Sequence, residues 1–184
     1  MSSLSVSLDQ DQLLRVERML RSIPGAARKA EISAIKKTTS TLRVRIRRSL
    51  VKELPETKQK ELDRFIHAKL HADEIVHGVI AIHNHKLGAE RFGAIKTASG
   101  LTGTVFGESR DFPHAFLARP RGGTKRLAFV REGESRLPIK RVYAGTLGEL
   151  WERSPGHEVD LRDARELLLK NIDSQLPRFL DRKK

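Results

Sequence analysis

The chain is predicted to be an α+β protein, with N-terminal long helices, a central, mostly antiparallel β-sheet and a C-terminal helix. Three observations carry that expectation. Apolar residues recur at helical spacing up to about residue 70. Beyond it glycines become frequent (Gly78, Gly88, Gly93, Gly100, Gly103, Gly107), and apolar residues come in short or alternating runs, as in strands joined by turns. After residue 150 the helical spacing returns. These zones divide the chain into a helical arm at 1–71, a β-rich region at 72–150, and a C-terminal helix with a basic tail at 151–184.

Ser7 and Gln10 have the form of a capping box, and Leu13, Val16, Leu20 and Ile23 follow at helical spacing. Pro24-Gly25 breaks that segment. A longer helix is expected from Ala26 to Glu53, with Ala27, Ala30 and Ala34 as a small-residue stripe that Leu42, Ile46 and Leu50 continue. Leu54-Pro55 interrupts again, and Thr57 is expected to cap a third helix ending near Leu70. Strands are expected at Ile75 to Ile82, Ala94 to Phe106, Ala115 to Arg119, Leu127 to Arg131 and Ile139 to Tyr143, with Gly122-Gly123 as a hairpin turn. In the last zone Asp160 can cap a helix whose face carries Leu161, Ala164, Leu168 and Ile172, and Pro177 ends or bends it. Arg182-Lys183-Lys184 closes the chain.

Composition narrows the function. The 184 residues fit one domain, or one with an extended arm. With 38% hydrophobic and 5% aromatic residues, the core is thin for a subunit that completes itself alone. A net charge of +13 predicts attraction to nucleic acid, an acidic partner or an anionic membrane surface. The absence of cysteine excludes disulfides and thiolate metal sites. No signal-peptide pattern opens the sequence, and no apolar run approaches the roughly 20 residues that span a bilayer. No membrane partner is therefore expected.

The basic residues concentrate on the long helix. Lys36, Lys37, Arg43, Arg45, Arg47, Arg48 and Lys52 stand there, and between Ala26 and Lys52 the single acid is Glu31. One reading is a solvated basic face; the other is a surface facing phosphates. No aromatic residue lies among them, so base stacking is not expected and DNA would be met without regard to sequence.

Five of the seven histidines lie between His67 and His85. His67 and His71 have the spacing of helical zinc ligands, and His83 and His85 would share one face of a strand. There is no HExxH and no further ligand at a recognised spacing, so surface or interface positions are the favoured reading and no metal or other cofactor is expected. GxSxG, P-loop and GxGxxG patterns are absent, and the chain is not expected to be an enzyme.

The most distinctive stretch is FPHAFLARPRGGTKRLAFVREGESRLPIKRVYAGTLGELWE, Phe112 to Glu152. It reads as a hairpin followed by a third strand, with Pro138 at a strand start or edge. Phe116, Phe129, Leu137 and Ile139 are its expected core. With Leu87, Phe92-Gly93-Ala94, Lys96-Thr97 and Gly100 upstream, the stretch resembles the minor tail protein Z family of tailed bacteriophages and prophages, whose members share an "AF…, F-R, RLPI" pattern. The resemblance covers about Ala26 to Leu150; Ala144-Gly145-Thr146 departs from the family's usual turn, and the histidines match no part of its pattern. It implies a structural virion protein of the tail-to-neck junction, assembled in the host bacterial cytoplasm. It further implies a homo-oligomeric ring, sixfold in expectation, around the DNA channel, with other neck and tail proteins and the genomic DNA as partners. Arg131 and Arg136, which flank the hairpin, are candidates for inter-subunit ion pairs or plain exposed strand-end arginines. The competing reading is a stand-alone, sequence-nonspecific DNA-binding protein that uses residues 28–52.

Overall fold

The structure, a computed structural model, describes residues 2–7, 10, 11, 14, 25–55 and 57–180. Within them the elements run β1 (Ser2–Ser7), α1 (Ala26–Glu53), α2 (Gln59–Leu62), β2 (Ile66–Ala72), β3 (Val76–Ile82), β4 (Lys86–Gly88), a 3-10 turn (Ala89–Phe92) and β5 (Ile95–Lys96). There follow β6 (Gly100–Val105), β7 (Glu108–Pro113), β8 (Phe116–Ala118), β9 (Leu127–Arg131), β10 (Ile139–Arg141), β11 (Tyr143–Thr146), α3 (Leu147–Arg153) and α4 (Pro155–Leu180). The α+β class is as the sequence predicts. In place of one central sheet there are four small antiparallel ones. The chain forms two compact units, residues 1–46, 66–82 and 155–184 in one, and 47–65 and 83–154 in the other.

In the first unit a three-stranded sheet of order β1-β3-β2 carries α1 on one face. Strand β3 alternates strictly, with Val76, Gly78, Ile80 and Ile82 buried and the residues between them half-buried. On α1, Ala30, Ala34, Thr38, Leu42 and Ile46 form a buried row at a spacing of four, and Ile35 and Thr39 lie beside it. Arg28 reaches from the start of α1 to the carbonyls of Ala72 and Asp73, and Arg43 Nε donates to the carbonyl of Ile66 at 2.9 Å. The helix is thus tied to both ends of β2. Helix α4 packs on α1 through a buried hydrogen bond from Asn171 Nδ2 to Thr38 Oγ1, 2.8 Å, and one from Ser33 Oγ to Gln175 Oε1, 3.1 Å. Ala164, Leu168 and Ile172 are buried on α4, and Asp160 is buried with them.

In the second unit the strands form sheets of order β10-β9-β8, β11-β4 and β5-β6-β7. Leu87, Phe92, Leu101, Leu147, Leu150 and Trp151 supply much of the core. Thr146 and Glu149 make a complete capping box that starts α3 where β11 stops. The half-buried Glu90 accepts hydrogen bonds from Arg141 Nη2 at 2.7 Å and from the Ala128 backbone at 3.2 Å, which ties the 3-10 turn to β9 and β10.

Several expectations are corrected. The helix expected from Thr57 to Leu70 is one turn, α2, followed by a strand, β2; Thr57 is buried and accepts from Arg91 rather than capping. Ser7 ends a strand instead of capping a helix, Gln10, Asp11 and Leu14 are helical as expected of that segment, and Leu13, Val16, Leu20 and Ile23 lie outside the described residues. The run from Ala94 to Phe106 is two strands with a turn between them, and Ile139 to Tyr143 divides between β10 and β11. Asp160 lies within α4, Leu161 is 44% exposed, and α4 continues past Pro177 to Leu180. Leu137 at 67% and Ile139 at 37% exposure are not core, while Phe116 and Phe129 are half-buried with ring centroids 6.3 Å apart. The Gly122-Gly123 turn is present, with the Gly123 amide donating to Pro120.

Candidate functional site

The seven basic residues singled out on α1 do not act as one surface. Arg47 is held at 2.7 Å by Asp63 and Arg43 by a strand carbonyl, so both guanidinium groups stabilise the fold. Arg45 lies 3.6 Å from Asp163 of α4, and Lys37 Nζ lies 3.4 Å from Ser174 Oγ. Lys36, Arg48 and Lys52 are exposed and have no ion pair among the described residues. The reason is geometric. A buried row repeating every four residues advances past the 3.6-residue turn, so the buried stripe winds around the helix and the cations fall on both sides of it.

The histidines separate likewise. His67 and His71 share the exposed face of β2, where alternation again places positions four apart together. His71 stands opposite His77 on β3, and the two rings stack at 4.9 Å. The pair is brought together by the short connection 73–75 between the antiparallel strands β2 and β3. His83 and His85 belong to the loop before β4, in the second unit. His85 stacks on Phe65 at 4.2 Å. The residue as a whole is exposed, but this stacking takes one ring face out of water; with Arg91, Arg141 and Arg64 nearby, it holds the imidazole below its ordinary pKa. Among the described residues no group of three or more histidine or acidic side chains is placed to hold a metal ion.

The structure also assembles a pocket in the second unit that the sequence does not announce, because its residues come from separate segments. It encloses about 420 Å³ over Ala94, Ile95, Leu117 and Leu127, and its rim carries Arg91, Lys125 and Arg126. Glu61 stands behind two of these cations, 2.6 Å from Lys125 Nζ and 3.3 Å from Arg91 Nη1. The hydrogen bond from Lys125 lowers the Glu61 pKa, burial opposes it, and Arg91 adds to the lowering. Arg126 is exposed and has no ion pair among the described residues.

Arg131 and Arg136 are both exposed. Arg131 lies 5.4 Å over the Phe116 ring, which gives it an intrachain role in covering that half-buried aromatic. No described helix is long and apolar enough to cross a membrane. Compared with protein-family models, with curated proteins and with solved structures, the chain has no significant match.

Proposed function

We propose that the chain is a structural protein of a tailed-phage virion. In this reading it completes the tail at the neck and assembles as a homo-oligomeric ring around the DNA channel, without catalytic activity and without a cofactor. The resemblance of Phe112 to Glu152 suggests it. The observation that carries it is the state of the RLPI segment. Residues 131–140 are all exposed, and they include Leu137 and Ile139. A lone subunit gains nothing from apolar side chains on an exposed hairpin, whereas a subunit that is covered by neighbours does.

The test is quantitative mass spectrometry of particles from the source phage or induced prophage, with copy number referenced to the portal. About six copies per particle, the sixfold expectation of a closed ring, supports the reading. Expression in the infected cell with absence from particles overturns it.

A second reading, nonspecific DNA binding through α1, draws on Lys36, Arg48 and Lys52, three exposed cations without a described carboxylate partner. Three phosphate contacts would give a salt slope of about −2.7 for duplex DNA, and charge reversal at the three positions would remove it. The same side chains can serve in both readings, because DNA in a channel requires only complementarity to the backbone.

A further inference from the structure

The β9–β10 hairpin and the basic-rimmed pocket have complementary chemistry, and they lie at opposite ends of one strand. Strand β9 begins at Leu127, which lines the pocket, and ends at Arg131, where the hairpin loop 132–138 departs. Four residue steps of extended chain separate the two ends by about 14 Å. The loop therefore cannot fold back into the pocket of its own subunit.

The loop offers an apolar side chain, Leu137, 67% exposed, and a carboxylate, Glu134, which is exposed and has no ion pair among the described residues. Its other acid, Glu132, is already bonded to Lys140. The pocket offers an apolar floor and one cation, Arg126, likewise without a described partner. Leucine to floor and Glu134 to Arg126 match in polarity and charge, and Arg136, the loop's own cation beside Leu137, has to stay outside the basic rim.

We propose that a second copy of this chain is the partner, with the 132–138 loop of one subunit seated in the pocket of the next. The contact deepens the ring reading and rests on it. Because loop and pocket are different surfaces at the two ends of β9, the contact is head-to-tail: each subunit that accepts a loop presents another. Such a contact closes into a ring or grows as a filament, and it does not stop at a symmetric dimer.

The chain has no cysteine, so engineered thiols report on this contact alone. Ala94→Cys places a thiol on the pocket floor and Leu137→Cys one on the loop; oxidative cross-linking requires their α-carbons to come within about 7 Å. The full-length double variant is expected to form a ladder of covalent multimers. A mixture of the two single variants is expected to give one mixed dimer and no ladder. Glu134→Arg should cut the cross-linking yield about tenfold, and Arg126→Glu on the partner copy should recover it. No intermolecular cross-link, or cross-links only between two Leu137→Cys copies, overturns the proposal. Particle copy number tests the ring reading separately: six copies in the virion without this ladder leaves a ring built through another surface.

Discussion

Gly78 of β3 lies directly beneath Thr39 of α1. A β-carbon at position 78 would overlap the Thr39 hydroxyl and come within 3.1 Å of Ile35 Cγ2. The hydroxyl has little freedom to retreat, because it donates to the Ile35 carbonyl at 2.8 Å. This is the closest approach of the helix to the sheet that the glycines record, and it sets how deeply the buried row on α1 settles onto β3. Gly78→Ala is expected to destabilise the chain by about 1–3 kcal/mol, as overpacked cores do. Trimming the opposing side chain in Gly78→Ala/Thr39→Ala should return part of that loss in urea denaturation. An alanine at 78 that leaves the midpoint unchanged would refute the close approach.

Neighbouring arginines on α1 should behave differently. Arg47→Ala removes the part-buried guanidinium 2.7 Å from Asp63 and is expected to cost about 1–2 kcal/mol. Arg48→Ala removes an exposed side chain and should change stability by less than about 0.5 kcal/mol. Any DNA affinity should follow the opposite order, with Arg48→Ala weakening it at unchanged stability. Thermal melts and fluorescence anisotropy on the two variants check both halves.

His85 should titrate below the ordinary histidine value of about 6.5 in a proton NMR titration. A depressed folded-state pKa means that the unfolded chain takes up this proton first. Stability is therefore expected to fall as pH drops through about 6.5 and to level off below the folded-state value. His85→Phe, which keeps a ring against Phe65, should flatten that portion of the stability profile.

Asp160 has the reverse sign. Its burial in α4 raises the carboxyl pKa; Arg45 counters this, Asp163 adds to the rise, and His157 lowers it. The folded chain then holds the proton more tightly than the unfolded one. Stability is expected to decline as pH rises from about 4 through the raised value. Asp160→Asn should be more stable than wild type at neutral pH, by up to about 1 kcal/mol, with the difference vanishing near pH 3. A variant less stable at neutral pH would show that the ionised carboxylate is needed there.

The legible parts of the sequence were those with a single admissible period and clear punctuation. Helix α1 lies between Pro24-Gly25 and Leu54-Pro55, and β9 runs over the residues expected, Leu127 to Arg131. Strand β2 was misread because its inward residues Ile66 and Leu70 are four apart, a spacing that suits a helix turn and is also an even number of strand steps. Only the pairing with β3, where Ile66 meets Ile82 and Leu70 meets Gly78, decides between the two. Leu137 and Ile139 were assigned to the core on polarity alone, and polarity does not say whether an apolar residue faces its own chain or a neighbour. Of the candidate basic surface, position along the helix was readable. Which cations are neutralised was not, since Asp63 and Asp163 are contributed by segments that fold alongside α1 only in three dimensions.

The order of segments along the chain has a consequence for synthesis. All of the second unit, residues 47–65 and 83–154, is encoded before Pro155, whereas the first unit is completed only by α4 at the C-terminal end. As the polypeptide leaves the ribosome, the inner unit can close while the buried row of α1 still waits for Asn171 and its neighbours. During that interval α1 has the β1-β3-β2 sheet, but Thr38 and Ser33 still lack Asn171 and Gln175. While α4 is still inside the ribosomal exit tunnel, the nascent chain would therefore present one finished unit and one with an open flank.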